Sequence, residues 1–174
     1  MKKLKILLLG MSLIFSATTF SDVAEVFTWK AEPGKDAELI QAFREAAELH
    51  QKEGAVVSIE AMNVGDTQGT YQYVLRWDDV TAWGVSKDKI NTSPEWAAFG
   101  QKYAPGSLGT MTASITGVNL DPSVKANDYS EPFVYSVQVW EATPGMAQEL
   151  VANFMTAKSI IESTGARVEI YSEG

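Results

Sequence analysis

Along this chain the rhythm of apolar and polar positions changes in blocks. Residues 24–31 alternate and are rich in β-branched and aromatic types, which predicts a strand with one buried side. Pro33-Gly34 is a turn pair, and from Lys35 or Asp36 the period lengthens. Leu39, Ile40, Phe43, Ala46, Ala47 and His50 then fall three and four apart, with Gln41, Arg44, Glu45, Glu48 and Lys52 on the other side. That spacing predicts an amphipathic helix lying on a sheet, closed by Gly54. After a second strand, the loop Gly65-Asp66-Thr67-Gln68-Gly69 leads into Thr70–Trp77, where Tyr71, Tyr73, Leu75 and Trp77 share one face. Asp78 is placed to cap a short helix over about 79–89, Ser93-Pro94-Glu95 starts another that ends by Pro105-Gly106, and Met111–Leu120 alternates again. This order predicts an α+β fold: a ferredoxin-like βαββαβ module with one antiparallel sheet.

The pattern then recurs. Laid over Val137–Gly174 at a constant offset of 111, Val26–Asn63 matches at 13 of 38 positions without a gap. The matches land on turn and apolar positions, among them Trp29/Trp140, Pro33/Pro144, Gly34/Gly145, Leu39/Leu150, Phe43/Phe154 and Gly54/Gly165. Searching for such periods before assigning a fold is what separates one domain from an array. The expected organisation is a module over 22–121, a polar linker over 122–132 and a partial second module over 133–174 that stops after its second strand. A half-module exposes a strand edge and a helix face. Either the gene product is truncated, the favoured expectation, or a partner chain completes the sheet.

Composition changes the picture at three points. Lys2, Lys3 and Lys5 precede an apolar run from Ile6 to Phe15 and the small polar residues Ser16–Ser21, the layout of a secretory signal peptide that is too short to span a membrane. Cleavage near Ser21 and a periplasmic or secreted protein are expected, with no stable membrane insertion. Removing residues 1–21 leaves 153 residues with 11 Lys and Arg against 22 Asp and Glu, a surface that repels phosphate backbones, so nucleic acid is not an expected partner. The absence of Cys excludes disulfides, thiol nucleophiles and thiolate metal sites, and a single His excludes a multi-His metal site; no metal and no cofactor are expected.

The opening strand with Pro33-Gly34-Lys35, its helix, and the segment YQYVLRWDDVTAW…NTSPEWAAFGQKY resemble the dimeric α/β-barrel superfamily, in particular its antibiotic-biosynthesis-monooxygenase-like and stress-responsive A/B-barrel modules. The likeness covers 24–120 and, as a partial second copy, 134–174. It implies two modules pairing their sheets face to face, as a homodimer or within one chain, and a pocket between sheet and helices for an aromatic or apolar small molecule. Some members oxidise phenols without metal or flavin and others degrade haem. Several of those carry a His shortly before the segment matching Ser93-Pro94, where this chain has Ile90-Asn91-Thr92.

Candidate chemistry gathers on few residues. His50 continues the apolar stripe of the first helix and corresponds to Ile161 in the second copy, so it is expected to point inward; it is either a hydrogen-bonded or partly exposed His near the helix end or a catalytic base, with Tyr73 as the phenol that helps hold a substrate. Trp29, matched by Trp140, is expected in core or barrel packing, and Tyr71, Tyr73 and Trp77 against a partner sheet, with ligand stacking as the alternative. Arg76, beside Asp78 and Asp79, is either a surface ion pair or an anchor for a ligand carboxylate. Three functions compete: an exported small-molecule-binding module, a cofactor-independent oxygenase acting on a phenolic substrate, and a structural or interaction module.

Overall fold

The computed structural model describes residues 21–173, so nearly all of the expected export signal lies outside the described residues. The elements are β1 (Val23–Ala31), α1 (Asp36–Lys52), β2 (Val56–Ala61), β3 (Tyr71–Trp77), α2 (Val80–Thr92), α3 (Pro94–Lys102), β4 (Gly109–Asn119), α4 (Ala147–Glu162) and β5 (Tyr171–Glu173), with a 3-10 turn at Ala126–Tyr129 before α4. The strands form one sheet in the order β2-β3-β1-β4-β5 with every pair antiparallel. Its first four strands, with α1 and the α2–α3 pair as crossovers, are the ferredoxin-like α+β module.

Local chemistry sets the boundaries. Gly34 takes φ 76°, the left-handed conformation that the turn before α1 requires, and Lys35 N–H donates to the Glu32 carbonyl at 2.9 Å. Ser93 stands in extended backbone between two helices, and its hydroxyl accepts from Trp96 N–H at 3.1 Å while Pro94 occupies the first helical position. The region after β3 is therefore two helices, the first running three residues further than its sequence suggested.

The register places Glu25 opposite Leu75, Phe27 opposite Tyr73 and Trp29 opposite Tyr71, all on one face. That face meets α1. Leu39, Phe43, Ala46 and Ala47 pack on Tyr73, Leu75 and Trp77, with Trp83, Trp96 and Phe99 against them. The aromatic face of β3 is thus covered by helices and not by a partner sheet. The reason is the stripe on α1, which supplies apolar cover within the chain.

The opposite face carries the segment expected as a linker. Val124, Ala126 and Tyr129 are buried, Ala126 N–H donates to Asp78 Oδ1 at 3.0 Å, and the Tyr129 ring lies 3.8 Å from the Arg76 guanidinium. Three apolar side chains within a polar run are enough to fasten it as a strap.

Beyond the strap, α4 begins 111 residues after α1, Gly145 and Gly165 take φ 84° and 92°, and the Trp140 and Phe154 rings meet edge to face at 6.1 Å. Trp29 and Phe43 meet the same way at 5.9 Å. Burial differs: no residue of α4 is buried, and residues 133–141 pair with no strand among the described residues. Only the short β5 joins the sheet, through Gly117–Asn119 of β4. Among the described residues no helix is long and apolar enough to cross a membrane.

Candidate functional site

The helix-covered face holds a polar island inside an aromatic interior. His50 reaches inward from the last turn of α1, and its Nδ1 lies 2.8 Å from the Tyr73 hydroxyl and 3.0 Å from the Ala46 carbonyl. A carbonyl can only accept, so the Nδ1–H tautomer donates to Ala46, while the other tautomer accepts from the Tyr73 O–H. The Trp96 ring closes over the imidazole edge to face at 4.6 Å. Burial pushes His50 down to about 4 and lifts the Tyr73 phenol well above its ordinary value. Both groups are neutral at pH 7.

Beside them, β1 turns a carboxylate inward. Glu25 is buried and accepts from Trp83 Nε1 at 2.9 Å and from Lys87 Nζ at 3.0 Å, which satisfies a charge that would otherwise be costly there. Two further groups on this side remain unmatched. Trp77 and Ser86 are each 1% exposed, and neither the indole N–H nor the hydroxyl has a hydrogen-bond partner among the described residues. A buried orphan of this kind costs about 1–3 kcal/mol. No spacing along the chain joins Glu25, Trp83, Ser86 and Lys87 into one site. The signal was there for Glu25, an acid at an inward position between Val23 and Phe27.

The other candidates fall in different places. Trp29 packs on Phe43 in the core, and Tyr71 sits at the rim, donating to Asp36 Oδ1 at 2.8 Å. Tyr73 and Trp77 share the helix-covered side with His50. Arg76 does not, because strand alternation turns it to the other face. There its guanidinium donates to the Tyr171 hydroxyl at 2.7 Å, lies 3.7 Å from Asp22 and covers Tyr129. Its sequence neighbours are occupied elsewhere: Asp79 Oδ1 caps α2 by accepting from Ala82 N–H, and Asp78 holds the strap. Arg76 is therefore neither a surface ion pair with them nor near the imidazole.

Around it Tyr171 donates to Asp22, the Tyr129 and Tyr171 hydroxyls are 3.0 Å apart, and Asn119 donates to Glu169 at 3.0 Å. Burial raises the Asp22 carboxyl, against the lowering effect of Tyr171 and Arg76. Two surface depressions lie away from both clusters. One, of about 330 Å³, is lined by Ile40, Arg44, Ile59, Glu60, Ala61 and Tyr71; the other, of about 290 Å³, lies between the start of α1 and Leu108.

No family model and no curated protein matches this chain. Solved structures do. An uncharacterised NIPSNAP-like domain protein from Burkholderia xenovorans superposes with TM-score 0.47 at 16% identity, over 68% of this chain and 97% of that one. SnoaB, a cofactor-independent oxygenase from Streptomyces nogalater, gives 0.39 at 18% over 56% and 89%. An antibiotic-biosynthesis-monooxygenase-like protein from Caulobacter crescentus gives 0.39 at 20% over 56% and 87%. Similarities of this degree carry nothing about activity, which rests on the chain's own residues.

Proposed function

We propose that this chain is a small-molecule-binding module of the α/β-barrel type, exported after cleavage near Ser21, that takes an aromatic or apolar ligand bearing one polar handle beneath α2. One observation carries the reading. The unpartnered Trp77 N–H and Ser86 O–H stand in an interior walled by aromatic rings, the combination of apolar lining and few polar groups by which small ligands are held. A ligand oxygen offers each a partner, so the orphan cost is recovered on binding. No cofactor enters this reading, and two modules pair either in a homodimer or within one chain.

The test is titration with 2-naphthol, followed by tryptophan fluorescence. Saturable quenching is expected in the parent protein. Trp77→Phe with Ser86→Ala removes both handles and should weaken binding at least tenfold, about 1.4 kcal/mol, while leaving the unfolding midpoint level or higher. Equal affinity in parent and double variant would sink the proposal.

A second reading, a cofactor-independent oxygenase, is favoured by the 2.8 Å contact between His50 and Tyr73. In it His50 takes the phenol proton of the substrate and Tyr73 holds the resulting anion while dioxygen adds to its carbon. An imidazole titrating at about 4 is a weak base toward a phenol near 10, which places this reading second. His50→Ile, which copies Ile161, should abolish oxygen uptake on phenols if the oxygenase reading holds.

A further inference from the structure

β2 lies at one end of the sheet, with β3 its only neighbouring strand among the described residues. Which of its backbone groups that pairing uses follows from the loop after it. Met62 N–H donates to the Thr70 carbonyl at 3.0 Å, and the Met62 carbonyl accepts from Gly69 N–H at 2.9 Å, so Met62 turns both groups toward β3. In an antiparallel pair such residues alternate with residues whose groups point away from the partner strand. Val56, Ser58 and Glu60 therefore face β3, while Val57, Ile59 and Ala61 hold their N–H and C=O groups out on the open edge. None of those groups has a hydrogen-bond partner among the described residues. The side chains of Val57 and Ile59 point to the helix-covered side, where they pack on the core.

The depression of about 330 Å³ lies along this edge. Ile40 and Arg44, four residues apart on α1, line it together with Ile59 and Ala61 of β2 and with Tyr71. Arg44 is exposed and makes no hydrogen bond, ion pair or ring contact among the described residues. That is a free cation in residues 22–174, where 22 Asp and Glu stand against 11 Lys and Arg. The Glu60 carboxylate also borders the depression, but it is already held: Oε1 accepts from Ser58 at 2.6 Å and Oε2 from Tyr135. We propose that this edge takes an extended peptide segment as an added strand, with an apolar side chain in the depression and an Asp or Glu two residues away on Arg44. Main-chain bonds to Val57, Ile59 and Ala61 supply affinity, and alternate side chains supply selectivity, because residues two apart share a face. The guanidinium fork suits a carboxylate. A small carboxylate would leave the edge bare. A second β2 would bring Arg44 no free acid, since Glu60 is the only acid in that strand.

The probe is the blocked, fluorescein-labelled peptide Thr-Val-Thr-Leu-Thr-Glu-Thr, added to the full chain and followed by fluorescence anisotropy. Saturable binding is expected, weakened about tenfold by Arg44→Gln or by Gln in place of the peptide's Glu, with both changes together costing no more than either alone. Ala61→Pro removes one outward N–H and leaves the Met62–Thr70 bond in place, so it should weaken binding about fivefold with the unfolding midpoint unchanged. Two peptides N-methylated at alternate residues ask the same question without altering the protein: one should bind like the parent peptide and the other not at all. Loss of binding in Arg44→Gln with equal binding of the two methylated peptides would mean a carboxylate contact without an added strand, and overturns the proposal. Absence of saturable binding at millimolar peptide overturns it as well. So does a parent chain that is dimeric by light scattering and monomeric as Ala61→Pro, which would put a second copy on the edge.

Discussion

The stretches 26–63 and 137–173 share their turns, helix start and edge-to-face Trp–Phe contact, yet one is a core and the other a surface. α1 buries Leu39, Ala42, Phe43, Ala46, Ala47 and His50, whereas α4 buries nothing. The difference lies outside both stretches, in β3 and β4, which give the first a sheet to lie on. Turns and helix boundaries follow from a few neighbouring residues. Burial needs strands supplied from elsewhere in sequence, and most helical stability in proteins comes from that packing.

The comparison breaks most visibly at the matched phenylalanines. Phe43→Ala should cost about 3–5 kcal/mol in denaturant unfolding, because it empties a packed site, while Phe154→Ala should cost well under half of that. Near-equal losses would mean that the second stretch has a core of its own.

Next in size is the pair His50 and Ile161. The imidazole titrates near 6.5 when unfolded and at about 4 in the fold, so between those values the unfolded chain holds the proton more tightly. Stability contributed by neutral His50 is present above pH 6.5 and falls by up to about 3 kcal/mol as pH drops through 4. His50→Ile should flatten this part of the stability–pH curve. Ile161→His, on an exposed position, should add no such slope.

The smallest effect sharpens the comparison instead of breaking it. Gly34 and Gly145 both hold left-handed turns with open space around the Cα, so alanine meets backbone strain and no clash. Gly34→Ala should lower global stability by about 1 kcal/mol or slightly more. Gly145→Ala should leave the global transition in place and speed amide exchange only in the first turn of α4.

Much of this was legible in the residues. The period of α1, the face shared by Tyr71, Tyr73, Leu75 and Trp77, and the Ser93-Pro94 start all have local causes, and the strand order agrees with the module they predict. What was not legible depends on alternation followed across strands. Sequence adjacency points Arg76 to Asp78 and Asp79, although a strand with Leu75 and Trp77 inward must turn Arg76 outward, toward residues far away in sequence. The strap has the average composition of a polar linker, which hides Val124, Ala126 and Tyr129. The contact between His50 and Tyr73 joins a helix end to a strand centre, and no spacing along the chain specifies that meeting. Nor does any pattern show that the Trp77 and Ser86 donors lack partners.

The hydrogen bond from Tyr171 to Asp22 joins residues 149 apart. In the order in which a ribosome makes the chain, β1, α1 and β3 exist long before Tyr171 does. Asp22 and Arg76 therefore wait for Tyr171 to complete their enclosure. Closing a loop of that length costs about 4 kcal/mol in chain entropy if the ends start free. Here β1 and β4 have already brought them together, so β5 closes the face on a frame built earlier, and the acid–arginine cluster becomes a record of whether β5 has arrived.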